Sequence, residues 1–369
     1  MNIRLSLDGT GALIKGHPWI GANAQLSYRV PPPAGTVLRV QDMNGDFLGW
    51  CVSEGPQATP AFRILSRERH ADLGASGWQA AVERALGKRR SLTGSGQDLA
   101  PRAPRRLVNG EIDGIPGVVC DAADGVGLLS LGSLGMQAFT EQIGAALLDQ
   151  AKLRGLWQRF ALPGGKGWGP WHRSPLAPLS PAKLQLEEAG CQAVVDLGAA
   201  GSGDALPWSV ERRAWRHWAQ VQGKGRRVLV LGDLGPEAEA AKAGEPAELL
   251  VVAKGLFKGL EKAAKLQPER VLLNIPVTAK ESFGKFDAAK NGPRLLADVA
   301  ALCAPGAKLL LASEHPLLRK AMAWEKAWIG VLDPPPPLTQ VLGPEQDAPE
   351  NPLFPEGRGA RGFVFTLSA

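Results

Sequence analysis

The sequence predicts an α/β protein in three parts: an N-terminal β-barrel, a middle α+β unit and a C-terminal parallel sheet. Two observations carry this. Arg227–Gly232 (RVLVLG), Leu249–Ala253 (LLVVA), Arg270–Asn274 (RVLLN) and Lys308–Ala312 (KLLLA) are continuous apolar runs, and the helical stretches Pro236–Ala243, Leu256–Leu266 and Pro293–Cys303 alternate with them. Strands apolar at every position are covered on both faces, and helical crossovers between them make them parallel. Residues 1–70 read differently, as the short alternating runs IRLSL, TVLRV, FLGWCV and FRILS broken by Gly and Pro, which is the pattern of a small barrel. Ligands of open parallel sheets bind beyond the carboxyl ends of the strands, so the loops after Leu231, Val252, Leu273 and Leu311 are where chemistry is expected.

At 369 residues and 44% hydrophobic content the chain can bury a large core and hold two or three domains. No apolar run approaches the ~20 residues of a membrane helix. The opening MNIRLSLDG lacks a basic region followed by an apolar one, so a cytoplasmic protein with no membrane partner is expected. Cys51, Cys120, Cys191 and Cys303 are widely spaced, with no Cys-x-x-Cys pair or histidine cluster, so neither a metal site nor a disulfide framework is expected.

Net charge is +6 and unevenly spread. Residues 61–106 hold ten Arg/Lys (Arg63, Arg67, Arg69, Arg84, Lys88, Arg89, Arg90, Arg102, Arg105 and Arg106) against four acids, as large an excess as the whole chain carries. Such clustering is the footprint of a nucleic-acid contact, and a solvated basic helix face is the alternative.

Taken in order, Lys15–Ile20 (KGHPWI) first places Lys15, His17 and Trp19 together at a Pro-containing turn, as RNA contacts or as a turn whose Trp19 plugs the barrel. Residues 71–103 run from a helix, Gly77–Arg90, into the polar stretch SLTGSGQDLAPRAP, which reads as a basic linker. Arg106–Asp121 (RLVNGEIDGIPGVVCD) reads as two strands around a Gly/Pro turn, then a strand at Gly125–Leu131 and a helix at Gln137–Leu153. Arg89, Arg90, Arg105 and Arg106 flank the linker as candidate phosphate contacts. Pro163–Pro181 is too rich in Gly and Pro for regular structure and reads as a mobile loop. Its Trp168 and Trp171, beside Lys166 and Arg173, would stack on unpaired bases or pack on the domain. Lys183–Leu197 reads as a further β unit ending in VVDLGAAGSGD, and Ser209–Gln220 as a helix carrying Arg212, Arg213 and Arg216, again candidates for phosphate, with Trp215 and Trp218. A proline-rich tail, Asp333–Arg361, precedes a last strand at Gly362–Leu367.

Three stretches, KGHPWI, RLVNGEIDGIPGVVCD and the C-terminal FPEGRGARGFVF at Phe354–Phe365, resemble in sequence and order the bacterial methyltransferases that methylate C5 of a cytosine in 23S ribosomal RNA. The resemblance implies a PUA-like RNA-binding domain at residues 1–70, a basic linker at 71–103, a middle α/β domain at 104–197 and a Rossmann-like class I S-adenosylmethionine (SAM) methyltransferase domain at 198–369. It also implies SAM as cofactor and ribosomal RNA as partner.

The departures from that family fall at the four loops. Its glycine-rich first turn is Gly232-Asp233-Leu234-Gly235-Pro236 here, leaving Gly232, Asp233 and Gly235 as cofactor candidates. The acid expected to hold the ribose after the second strand is replaced by Ala253-Lys254, and the chain from Leu266 to Arg270 leaves no room for a further strand beside the adenine. The Asp-Pro-Pro motif is Asn274-Ile275-Pro276, and the Ser-Cys-Ser that supplies the nucleophile is Ser313-Glu314-His315. Methylation at C5 needs a thiolate to attack C6, a role that Glu314 cannot readily take, and Cys303, at a helix end, is a poor substitute.

A rival register starts the cofactor motif at Asp196, with Gly198, Gly201 and Gly203 as the cradle and Asp233 on the ribose. Its glycines run G-x-x-G-x-G, and the next acidic strand end comes too late for such a unit. Two functions remain open: a working SAM-dependent RNA methyltransferase with an altered site, and an RNA-binding protein that keeps the scaffold without the chemistry. The second accounts for more of the departures.

Overall fold

The computed structural model describes residues 1–93, 102–165, 167–199, 208–232, 234–276, 278–281, 284–312, 328–343 and 360–367. These form two compact units, one made of the described residues of 1–186 and 193–199, the other of those of 187–192, 208–343 and 360–367.

The first unit opens with β1 (Asn2–Arg4), α1 (Leu7–Ile14), β2 (Trp19–Ile20), β3 (Val37–Gln41), β4 (Phe47–Ser53) and β5 (Phe62–Ser66). The strands curl into one sheet in the order β1-β3-β4-β5-β2, around buried Ile3, Leu5, Leu38, Val40, Cys51 and Phe62. Helix α1 was not legible in the sequence because Gly9 and Gly11 are poor helix formers. Ser6 starts it, its hydroxyl accepting the Gly9 N–H at 3.2 Å, and Leu13 anchors it in the barrel core.

The same unit continues with α2 (Ala75–Thr93), β6 (Arg105–Asn109), β7 (Val118–Ala123), β8 (Val126–Leu131), α3 (Thr140–Gln150), β9 (Gly155–Phe160) and β10 (His172–Arg173). The sheet runs β10-β9-β8-β7-β6, with β8 and β9 parallel. Trp78, Val82, Ala85 and Leu86 of α2 share one buried cluster with Val108, Cys120, Leu129, Leu131 and Leu156. The helix expected within 71–103 is thus a core element, because its apolar residues recur at helical spacing and cover the sheet. The Gly/Pro-rich stretch at 163–181 is likewise tied down among its described residues. Trp171 is buried, the Arg173 Nε–H donates to the Ser180 carbonyl at 2.8 Å, and the Ser180 hydroxyl accepts the Leu156 N–H at 2.8 Å.

Next, β11 (Lys183–Glu188) and β12 (Cys191–Asp196) form a two-stranded hairpin, closed by Ala189 and Gly190 at φ +51° and +70°, the left-handed pair that a tight hairpin turn requires.

The second unit comprises α4 (Arg213–Gly223), β13 (Arg227–Leu231), α5 (Gly235–Ala243), β14 (Glu248–Val252), α6 (Leu256–Ala263), β15 (Arg270–Asn274), β16 (Thr278–Glu281), β17 (Gly284–Asp287), α7 (Ala288–Leu302), β18 (Lys308–Ala312), β19 (Leu338–Leu342) and β20 (Gly362–Thr366). Its six-stranded sheet runs β14-β13-β15-β18-β20-β19. The first four strands are parallel, with Leu229 opposite Val271 and Leu272 opposite Leu310; β20 and β19 are antiparallel. Leu229, Leu231, Leu273, Leu309 and Leu311 face α6 and α7 in one core, while Leu310 of the opposite parity lies beside Gly362 and the buried Trp215 of α4.

Helix α6 leads from β14 straight to β15, so β14 stays at the sheet edge and Val251 is 45% exposed. The lack of chain for a further strand there agrees with the sequence reading. Strand β19 was hidden behind Pro334–Pro337, which end just before it, as proline must at a strand start.

Candidate nucleic-acid interface and cofactor crevice

On the barrel, α1 and the turn after it border a cleft of about 270 Å³ lined by Ser6, Asp8, Ala12, His17, Trp19 and Asn23. The Trp19 N–H donates to His17 Nδ1 at 3.2 Å, and the two rings meet edge to face at 6.3 Å. The Arg67 guanidinium donates to the Leu13 carbonyl at 2.6 Å, satisfying the end of α1, and burial lowers its pKa. Lys15 is exposed, and His17, half-exposed, lines the cleft together with Asp8. Trp19 is only half-buried, but its edge is committed. Its indole N–H donates to Glu111 at 2.7 Å, and Arg63 lies 4.7 Å over its ring while binding Glu54 at 3.0 Å and Glu111. Trp19 therefore does not plug the barrel: it lines the cleft, and its indole N–H ties the barrel to the Gly110–Asp113 turn of the middle sheet.

The predicted phosphate contacts divide by burial. Lys15, Arg90 and Arg105 are exposed and Arg212 is half-exposed. Arg89 is buried against Asp113 at 2.7 Å, and Arg106 against Asp121 at 2.5 Å and Asn109 at 2.6 Å. Arg213 and Arg216 are buried on Glu188, Arg213 at 2.7 Å, and Arg216 also reaches Glu237 at 3.4 Å and the Ser209 carbonyl at 2.9 Å. These four guanidiniums are committed to carboxylates of the chain itself. Guanidinium is the cation best suited to buried, forked pairing with carboxylates, so an Arg-rich window overstates the surface charge. Burial raises the carboxyl pKa of Glu237, and Arg216 and Arg212 oppose that.

At the carboxyl end of the parallel sheet, Gly232 leaves β13 at φ +103°, and its N–H donates to the Val252 carbonyl at 2.8 Å. The Leu234 N–H returns to the Gly232 carbonyl at 3.0 Å, and α5 begins at Gly235, where an added Cβ would meet open space. Leu234 itself is buried. Asn274 is 7% exposed and lies directly against Gly232, and the Ile275 N–H donates to the Ala312 carbonyl at 2.9 Å before Pro276. After β14, Ala253 and Lys254 are both exposed. Asp233, Glu314, Gly201 and Gly203 lie outside the described residues.

Nothing in the residue pattern marks the β16–β17 hairpin. It leaves the end of β15 and reaches α6, where the buried Glu281 carboxylate accepts the Leu256 N–H at 2.9 Å. On its return strand Phe286 is fully buried, 6.4 Å from the Phe257 ring. The hairpin thus links the exit of β15 to the start of α6, the helix that follows β14. A carboxylate at the first N–H of a helix answers its unpaired donors and its dipole.

The rival register starts outside the parallel sheet. Asp196 ends a hairpin strand outside the parallel sheet, and its carboxylate accepts the N–H groups of Gly198 at 3.0 Å and Ala199 at 3.3 Å, closing a local turn. No group of three His, Cys, Asp or Glu that could hold a metal, and no helix long and apolar enough to cross a membrane, occurs among the described residues.

The sequence profile of the PUA-like domain family matches residues 3–67. Over 131 residues the chain is 27% identical to a ribosomal RNA large subunit methyltransferase of Deinococcus radiodurans, a match that covers 36% of this chain and about a third (32%) of that relative. The fold matches a protein solved as a methyltransferase complexed with SAH, at TM-score 0.81, 14% identity and coverage of 99% of this chain and 100% of the other. It also matches a SAM-dependent methyltransferase from Streptococcus mutans, at TM-score 0.78, 13% identity and the same coverage. The architecture is therefore that of SAM-dependent methyltransferases with an N-terminal PUA-like domain.

Proposed function

We propose that this protein binds RNA, ribosomal RNA by analogy with its named relative, and that its methyltransferase-type sheet is a scaffold that no longer transfers a methyl group. The PUA-like barrel, with its cleft between α1 and the His17–Trp19 turn, supports the RNA half. One observation carries the other half: Glu281, on the hairpin that leaves β15, is bonded to the first N–H of α6, so a carboxylate of the chain itself answers that helix start at the mouth of the parallel sheet, just after β14, where ligands of such folds sit.

The residues around that mouth do not fit SAM. A ribose needs a carboxylate at the end of the second strand, and exposed Lys254 stands near that place. The edge position of β14 leaves no neighbouring strand to support an adenine. Covalent attack on the base needs a thiolate, whereas burial pushes the Cys191 thiol up to about 11 and the Cys303 thiol up to about 12, and raises those of Cys51 and Cys120 further.

A working methyltransferase with an altered site is the second reading, favoured by the strand–turn–helix at Gly232–Gly235, whose positive φ and open Gly235 still permit close backbone approach. Calorimetry of SAM against the full chain, with transfer of labelled methyl from SAM to large-subunit ribosomal RNA, decides between the two. No heat of binding and no label in RNA is expected. Stoichiometric labelling would establish the second reading, and failure of the protein to bind RNA at all would sink both.

A further inference from the structure

We infer that the solvent face of α6, with the adjoining ends of β17 and α7, is a second RNA-backbone surface of this protein. The inference rests on the RNA-binding reading above but places a contact where neither the barrel nor the basic window at 61–106 predicts one. Residues 254–294 hold nine Arg/Lys against four acids. Lys258 and Lys262 recur at helical spacing on the side of α6 opposite its buried Leu256, Gly259, Leu260 and Ala263, while Lys254 stands just before the helix and Lys265 in the turn just after it. Phe257 joins this row to its neighbours: its ring contacts Phe286 of β17 and lies 5.4 Å under the guanidinium of Arg294 of α7. Lys285 and Lys290, both exposed, belong to those same two elements.

The acids do not neutralise the row. Glu281 is turned onto the Leu256 N–H, Asp287 caps α7 by accepting the Lys290 N–H at 3.1 Å, and Glu269 is held by Arg226 and by the Arg227 N–H, each at 3.1 Å. Glu261 is the remaining one. Among the described residues no ion pair engages Lys254, Lys258, Lys262, Lys265, Lys285 or Lys290. This is the reverse of the arginine cluster, in which Arg63, Arg89 and Arg106 are buried on carboxylates.

A row of unpaired, strongly hydrated ammonium groups attracts a polyanion through point charges and release of its counterions, without reading sequence. RNA fits better than an anionic membrane, because a helix that lies on a bilayer needs an outward apolar face, and the apolar face of α6 is buried in the sheet core.

The test uses the full-length protein, a large-subunit ribosomal RNA transcript and the slope of log affinity against log salt. Replacement of Lys254, Lys258, Lys262 and Lys265 by Ala is expected to lower that slope by about three, on the order of 0.7–0.9 per phosphate released, and to weaken binding by at least about tenfold. The thermal midpoint should not change, since all four side chains are exposed. The control removes equal charge elsewhere, with Ala for Lys152, Lys183, Lys224 and Lys242. An unchanged slope in the α6 variant, an equal loss in the control, or binding of the wild type to phosphatidylserine vesicles in preference to RNA would each overturn the inference. The first two leave the RNA reading intact, whereas absence of any RNA binding by the wild type ends both.

Discussion

Gly232 and Asn274 meet backbone to backbone at the end of the parallel sheet. A Cβ on Gly232 would stand 2.4 Å from the Asn274 carbonyl oxygen, and Gly232 holds φ at +103°, so the turn out of β13 closes only with glycine. Gly232→Ala must both strain the backbone and push β15 away. A loss on the order of 2–4 kcal/mol in urea unfolding is expected. A loss below about 0.5 kcal/mol would mean that the turn relaxes freely.

The thiols give a second expectation. All four cysteines are free and their pKa values are raised, Cys191 to about 11 and Cys303 to about 12, with burial the largest cause in each. At neutral pH the native protein should react with a disulfide reagent far more slowly than a free thiol does, and four thiols should titrate once it is unfolded. One thiol that reacts rapidly in the native state would identify a low-pKa cysteine and reopen covalent chemistry on the base.

The parallel sheet was legible because its strands are apolar at every position, and the sheet edge at β14 because too little chain separates Leu266 from Arg270. The β16–β17 hairpin was not legible. Its TAKE and GKFD carry no clear alternation, and only the reach of Glu281 to Leu256 shows what it covers. Helix α7 begins at Ala288, earlier than Pro293 suggested, because Asp287 caps it; Pro293 stands inside the helix, past the first turn, where its missing N–H leaves one i→i−4 bond unmade. The charge count misled for a separate reason. It treats every cation as solvated, although Arg216 is fully buried on Glu188 and Glu237.

Glu269 offers a pH-dependent check on the sheet. Its carboxylate accepts the Arg227 N–H at 3.1 Å and pairs with Arg226 at 3.1 Å, and these contacts lower its pKa below the ordinary carboxylate value. A carboxyl with a depressed folded pKa stabilises above its unfolded value of about 4.3, and that contribution is lost as pH falls through the folded value. Glu269→Gln should therefore cost under about 1 kcal/mol at neutral pH, since the group is partly exposed. The cost should vanish in acid. A cost that persists in acid would assign the effect to packing.

The two sides of the 61–106 cluster should separate in a single experiment on Arg105, Arg90, Arg89 and Arg106. Arg105 and Arg106 are adjacent on β6, so their side chains leave opposite faces of the sheet: Arg105 is exposed, while Arg106 is buried against Asp121 at 2.5 Å and Asn109 at 2.6 Å. Arg90 and Arg89 repeat the contrast on α2, Arg90 exposed and Arg89 on Asp113 at 2.7 Å. Removing a buried guanidinium leaves a carboxylate without its cation, which costs roughly 3–5 kcal/mol, whereas removing an exposed one costs almost nothing in stability. RNA responds the other way, because only exposed cations displace phosphate counterions. Arg90→Ala with Arg105→Ala should keep the thermal midpoint and reduce the salt slope of RNA binding by up to about two, near 0.9 per contact. Arg89→Ala and Arg106→Ala should each lower the midpoint and, at temperatures where the variant stays folded, leave the slope unchanged. A flattened slope in folded Arg106→Ala would place Arg106 on the RNA and overturn the division drawn from its burial.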